Sequence, residues 1–237
     1  MQALQARLAA LHYDVGDVDG YYSSSTYHAV MAFQKVAGLQ RTGRFTDDVA
    51  QALATATDPP PLVPGGGALR VEVDLPRQVL VLYIDNALFR ILPVSTGSGS
   101  RYCVDGQCAR AVTPGGSFRM TWYGPGWATS RLGRLYNAVY FNGGIAIHGA
   151  TSVPPYPASH GCVRIPMAAA EWFPSKVSRG TPVYVVGGEV APVPFNEPAP
   201  NEAQSVTTTT GPPPPEPVTT TSTPPPPPQP PPTIPVP

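Results

Sequence analysis

Nineteen of the thirty-three prolines lie in the last fifty residues, among threonine runs and without one Lys or Arg. Such a composition buries too little apolar surface to offset the entropy lost on folding. Residues 188–237 are therefore expected to be a disordered Pro/Thr-rich tail, either passive or a spacer whose threonines could carry O-glycans. In polyproline II, residues 211–237 would span on the order of 80 Å. A second proline-rich stretch, Asp58 to Gly67 (DPPPLVPGGG), is stiff first and then flexible, and reads as a linker. The chain thus divides into residues 1–58, a linker at 59–68, residues 69–187 and the tail at 188–237.

The two segments differ in period. In residues 1–58, Leu4, Leu8 and Leu11 form one helical stripe. Ser25 or Thr26 is expected to cap a second helix with Val30, Phe33 and Ala37 inward, and Thr46 to start a third with Val49 and Leu53. Turns at Asp19-Gly20, Gly38 and Thr42-Gly43 separate them. Residues 69–187 instead carry repeated strand signals: 70–74, 78–84, 87–94, 118–123, 138–141, 145–148 and 182–186. One helix is expected at 167–173. The expected fold class is α+β multidomain: a small three-helix N-terminal domain, then a mainly-β, β-sandwich-like domain with little helix.

Chemistry concentrates between His148 and Ile165, HGATSVPPYPASHGCVRI, which holds two of the four histidines and one of the three cysteines. A cysteine is a nucleophile as thiolate, and a nearby histidine is the usual group that makes it one. Gly161 beside Cys162 permits a sharp turn, and the N–H groups of both are candidate oxyanion donors. His148 ends the apolar run Gly144-Ile145-Ala146-Ile147 and would be held rigidly at a strand end. No Asp or Glu separates it from Cys162, so a backbone carbonyl, such as that of Gly149, is left to orient the ring. An isolated cysteine is more often a small core residue, but Ser159, His160 and Gly161 are poor core material. His148, His160 and Cys162 could also be three zinc ligands; with no fourth ligand in view, no metal is expected. Cys103 and Cys108 flank an Asp105-Gly106 turn and are a disulfide candidate, which would leave Cys162 as the odd thiol.

This segment resembles the signature of the L,D-transpeptidases of bacterial cell walls, the YkuD family: HG, a spacer, then S/T-H-G-C and a short continuation. PVSTGSGS (93–100), TPGGSF (113–118), AVYFNGGIAIHGA (138–150) and GTPVYVV (180–186) extend the likeness across about residues 69–187. The resemblance implies Cys162 as nucleophile, His148 as general base and Gly149 as the source of the orienting carbonyl. His160 is carried with that set as a structural or substrate-facing neighbour. Gly143 and Gly144 would meet the substrate backbone, and Ser159 and Arg164 complete the expected substrate-binding set. Arg164 stands where many members have Asn, and arginine can grip a carboxylate through two bonds. The Pro-rich spacer, Val153-Pro154-Pro155-Tyr156-Pro157, is expected to form a stiff flap beside the site. Residues 1–58 resemble the peptidoglycan-binding-like three-helix domain, whose implied role is to hold the enzyme on the wall; the linker is expected to let the two act separately.

Residues 69–187 carry eleven Lys and Arg against five Asp and Glu, a net +6, whereas residues 1–58 are −2 and the tail −4. A basic domain suits a carboxylate-rich substrate. Nucleic acid is not an expected partner, because the aromatic interleaving of RNA-binding modules is missing. The expected partners are peptidoglycan stem peptides and glycan, with no cofactor, no transmembrane segment and a monomeric chain. The expected reaction is 3→3 cross-linking through a cysteine acyl-enzyme. Hydrolysis to an L,D-carboxypeptidase product, attachment of a protein to the wall, and a non-catalytic wall-binding role are the alternatives. No apolar signal core follows Met1, yet export to the wall or a periplasm-like space is expected, because the substrate lies there.

Overall fold

The computed structural model describes residues 1–195; the tail expected from 188 lies outside the described residues from 196 onward. Three helices come first: α1 (Gln2–Ala10), α2 (Ser24–Val36) and α3 (Asp47–Thr55). Eleven strands follow: β1 (Arg70–Asp74), β2 (Val79–Ile84), β3 (Ala87–Pro93), β4 (Arg101–Val104), β5 (Gln107–Arg110), β6 (Gly116–Arg119), β7 (Trp122–Ser130), β8 (Gly133–Asn142), β9 (Ile145–Ala150), β10 (Val163–Pro166) and β11 (Pro182–Val186). A fourth helix, α4 (Met167–Lys176), lies between β10 and β11. Among the described residues no helix is long and apolar enough to cross a membrane.

The strands make a five-stranded sheet, β3-β2-β1-β11-β6, a four-stranded sheet, β10-β9-β8-β7, and the separate hairpin β4-β5. One face of the larger sheet (Val71, Val73, Leu80, Leu82, Leu92, Val183, Val185) shares a core with Val139, Phe141, Ile147, Val163 and Ile165 of the smaller sheet and with Ala169, Ala170 and Phe173 of α4. The mainly-β, sandwich-like architecture follows from these two inner faces.

The other face of the larger sheet is apolar along β2 and β3, where the helices cover it, whereas on β1 it carries the buried Arg70, Glu72 and Asp74. Along β2, Leu80 and Leu82 enter the sandwich core, whereas Val79, Val81 and Tyr83 join Leu4, Leu8, Leu11, Val30, Phe33, Val49 and Leu53. Strand side chains alternate between faces, so the unbroken run VLVLYI is what a strand buried on both sides requires. The linker is tied down as well. Leu62 N–H donates to Glu72 at 2.7 Å, and the Tyr184 hydroxyl donates to Gly66 O at 2.9 Å. The expectation that the helical segment acts separately from the sandwich is therefore corrected, because the two share a core.

Local departures have local causes. The cap of α2 is Ser23, whose hydroxyl accepts from Thr26 N–H, and Ala37 is an exposed C-cap outside the core. The single strand expected at 118–123 is broken, because Met120 N–H bonds to Thr181 O beside β11 while Thr121 N–H bonds to Tyr140 O of β8. The chain changes sheets there. β10 was not expected, being short and ending in proline. The start of the expected tail also packs: Val193 N–H donates to the Ser117 hydroxyl at 2.8 Å, and Phe195 N–H to the Tyr184 hydroxyl at 3.1 Å.

Candidate active site

β9 and β10 run parallel, with Val163 opposite Ile147 and Arg164 opposite His148. Cys162 stands one residue before β10 and so comes level with Ala146, on the face His148 shares two residues further on. Both side chains line one cavity of about 710 Å³. Cys162 is half-buried against Leu135, Ala138, Tyr140 and Ala146.

His148 is 5% exposed, and its Nδ1 lies 2.9 Å from Gly149 O. A carbonyl only accepts, so Nδ1 carries the hydrogen and Nε2 keeps its lone pair. Burial pushes the imidazole pKa down and Arg164 adds to this, against the Gly149 hydrogen bond. Burial pushes the Cys162 thiol pKa up, against a backbone hydrogen bond at Ala146 and the charge of Arg164. Both shifts favour the uncharged forms, a thiol and a neutral imidazole, and the thiol donates to Gly144 O at 3.8 Å. Among the described residues no group of three or more His, Cys, Asp and Glu side chains is arranged to hold a metal ion.

The turn that presents Cys162 is braced from within and behind. Ser159 Oγ accepts from Gly161 N–H at 3.0 Å and donates to Cys162 O at 2.6 Å. Thr113 Oγ1 donates to Gly161 O at 2.6 Å and accepts from Gly97 N–H at 2.9 Å. Thr96 O accepts from the N–H groups of Ala158 and Ser159. Thr96 is itself clamped by Gln78, whose amide nitrogen reaches Thr96 Oγ1 at 2.7 Å and whose amide oxygen takes Thr96 N–H at 2.9 Å. Behind Gln78 stands Lys35 of α2, 1% exposed, donating to Gln78 O at 3.0 Å and to Val94 O at 2.8 Å. The helical layer therefore reaches the turn through four consecutive hydrogen-bonded residues.

The residue-68 to residue-185 stretch matches the model of the L,D-transpeptidase catalytic domain (YkuD), and residues 1–53 match that of a peptidoglycan-binding domain. Among solved structures, an L,D-transpeptidase from Xylanimonas cellulosilytica is 40% identical with a TM-score of 0.74; the match covers 78% of this chain and 92% of that one. The chain belongs to the L,D-transpeptidase family. An L,D-transpeptidase from Stackebrandtia nassauensis is 25% identical with a TM-score of 0.46, covering 79% of this chain and 90% of that one. Comparison with curated proteins returns no match.

Against the site expected of an L,D-transpeptidase, the structure brings Cys162, His148, His160, Gly144, Ser159, Gly161 and Arg164 to one cavity. Gly143 does not line it; with φ 53° it forms the exposed β8–β9 turn. Ser159 is 3% exposed and its hydroxyl is engaged on both sides inside the turn, so it braces the segment that carries Cys162 rather than presenting a free hydroxyl to the cavity. Gly161 N–H is committed to Ser159, which removes it from the expected oxyanion pair and leaves Cys162 N–H. Gly161 has a different duty: its φ of 142° and the 2.9 Å from an added Cβ to Val112 O exclude a side chain. Gly149 has a packing duty too, since an added Cβ would lie 2.6 Å from that of Ala170 on α4.

The cover of this transpeptidase cavity comes from elements that the motif did not mark. The hairpin β4-β5, joined by the Cys103–Cys108 disulfide, contributes Tyr102 and Arg110. The β7–β8 hairpin contributes Trp127, Ser130, Arg131, Leu132 and Arg134. His160 meets Tyr102 edge-on at 4.8 Å. The Pro-rich spacer is not the expected flap: Arg41 donates to Pro155 O at 3.1 Å and Ser95 to Tyr156 O at 2.8 Å, which fastens it to the scaffold. The sequence signal for the real cover was the cysteine-flanked turn, together with the arginines of SRLGR at 130–134.

Proposed function

We propose that this L,D-transpeptidase forms 3→3 cross-links between peptidoglycan stem peptides through an acyl-enzyme on Cys162. The observation that supports it most is that His148 on β9 and Cys162, one residue before the parallel strand β10, face the same cavity, with Nδ1–H held by Gly149 O and Nε2 left as base. The Cys162 thiol gives its proton to His148 Nε2 as sulfur attacks the carbonyl carbon of the donor's third residue. The oxygen that gains negative charge is taken by Cys162 N–H, which has no other partner among the described residues. The C–N bond then breaks, the electron pair stays on nitrogen, and His148 returns the proton to the departing D-Ala. The side-chain amine of a second stem's third residue attacks the thioester and passes a proton to His148. An amide forms, and the released thiolate takes the proton back.

A neutral resting pair also accounts for control of the nucleophile: thiolate appears only when a carbonyl is in place to receive it. The peptidoglycan-binding domain at residues 1–53 supplies the wall as partner, and action on wall stems requires the protein to lie on the outer side of the cytoplasmic membrane. The test is mass spectrometry of the protein with a disaccharide-tetrapeptide. A covalent adduct on Cys162 followed by a dimeric 3→3 product is the expected result. Tripeptide as the sole product would reassign the protein as a carboxypeptidase, and no adduct would remove the catalytic reading.

A further inference from the structure

Four arginines line the cavity that holds Cys162, Arg110, Arg131, Arg134 and Arg164, and among the described residues no Asp or Glu lines it with them. Such a set repels itself and focuses a positive field into the cleft, which favours an anionic occupant. Only Arg164 belongs to the signature segment. Arg110 lies on the disulfide-joined hairpin, where its Nε donates to Gly99 O at 3.1 Å, and its terminal nitrogens have no partner among the described residues. The guanidinium carbon of Arg134 sits over the Trp127 ring, 4.3 Å from its centroid. A guanidinium stacked by its face still donates from its edge, in the fork that fits a carboxylate.

Arg131 supplies a second observation, because it already holds a carboxylate. Its Nη1 lies 3.4 Å from Asp105 of the β4–β5 turn, and both side chains are largely exposed, at 71% and 65%. That pair joins the two hairpins that cover the cavity. An ion pair so open to solvent is weak, so an arriving carboxylate can replace Asp105 at little cost.

We propose that Arg131 and Arg134, with Arg110 beside them, form a carboxylate-binding rim that selects stem peptides bearing free carboxylates over stems bearing carboxamides. Asp105 is the resident carboxylate that the substrate displaces. This rests on the donor-peptide reading of the site given above.

The experiment uses two disaccharide-tetrapeptide donors that differ only in a carboxylate or a carboxamide at the second residue. Acylation of Cys162 is followed by intact mass, and kcat/KM is obtained for each. At low salt the free acid should be favoured about fivefold, the size of one solvent-exposed guanidinium–carboxylate pair, and the preference should shrink as salt is raised. In the Arg131→Gln/Arg134→Gln variant the ratio should fall towards one, and Asp105→Asn should lower KM for the free acid. Equal kcat/KM for the two donors with the wild-type protein, or an unchanged ratio in the double variant, overturns the proposal. If neither donor acylates Cys162 while iodoacetamide still labels it, the donor reading itself falls, and the proposal with it.

Discussion

Replacing Lys35 by Met should flatten the dependence of stability on pH between pH 7 and 9. Burial, with the nearby charge of Arg41 adding to it, pushes the Lys35 pKa from its ordinary value of 10.5 to about 7. In the unfolded chain the amine regains its ordinary value, so from pH 7 to about 10.5 the unfolded state binds more protons than the folded one. Stability must therefore rise with pH over that window. Integrating the two titrations gives a gain of about 2 kcal/mol between pH 7 and 9. The geometry fits the neutral form, since an amine has two N–H groups and Lys35 meets two carbonyls, Gln78 O and Val94 O. Tyr83, pushed up to about 12 by burial, does not titrate in this range, and His28 and His148, both lowered, titrate below it. Cys162, raised above 9.0, reverses the trend only at the upper end. The assay is urea unfolding at pH 7, 8 and 9 for both proteins. A flat wild-type profile, or the same rise in Lys35→Met, would refute the reasoning.

Other perturbations bear on the site directly. Cys162→Ala should abolish acylation while the thermal transition is kept, and His148→Ala should lose far more turnover than His160→Ala; the opposite ranking would make His160 the base. Iodoacetamide labelling of Cys162 should speed up with pH through a single step above 9 and show none near 6, because the resting thiol is un-ionised; a plateau of fast labelling below pH 7 would mean a resting ion pair. Gly161→Ala, which brings a Cβ to 2.9 Å from Val112 O at a φ of 142°, should cost on the order of 1–3 kcal/mol and most of the activity, read by unfolding and by donor turnover. Deleting residues 1–58 strips the cover from Val79, Val81, Tyr83 and Ile91, a loss of about 6–12 kcal/mol at roughly 1.5–3 for each side chain. That matches the whole stability of an ordinary domain, so the truncated protein should aggregate; a folded, active truncation would contradict the shared core.

The reactive segment was legible because chemistry needs particular residue types close together. The HG and SHGC pairs put a base and a thiol within one short stretch, and the strand 145–148 was bounded by the glycines before it and the turn after it. The strands of the larger sheet were legible for another reason: 70–74 and 182–186 are short β-branched runs between turn residues. What escaped was long-range. The cover of the cavity is made by residues 102–110, read from the sequence only as a cysteine-flanked turn, and by residues 127–134, which carried no expected element; only the fold brings both to the cavity of Cys162. The oxyanion role of Gly161 N–H failed because the same motif supplies Ser159, whose hydroxyl takes that N–H first.

The docking of the helices was also written in the chain, in a form that a search for alternation passes over. A strand at the edge of a two-layer sandwich would show polar residues at every second position, and β2 shows none from Val79 to Ile84. Its second face needed a partner, and the apolar stripe Leu4, Leu8, Leu11 needed a surface. Each is the other's solution. The same contact places Lys35 behind Gln78 and Arg41 on the Pro155 carbonyl, so the segment that matches a peptidoglycan-binding domain also supports the stretch leading into His160 and Cys162, directly at Pro155 and through Gln78 and Thr96 at Ser159. The domain that matches a peptidoglycan-binding model and the brace of the Cys162 turn are thus joined in one packed layer. A substitution in the interface, far from any substrate, should then appear in turnover of small soluble donors as well as in attachment to intact wall.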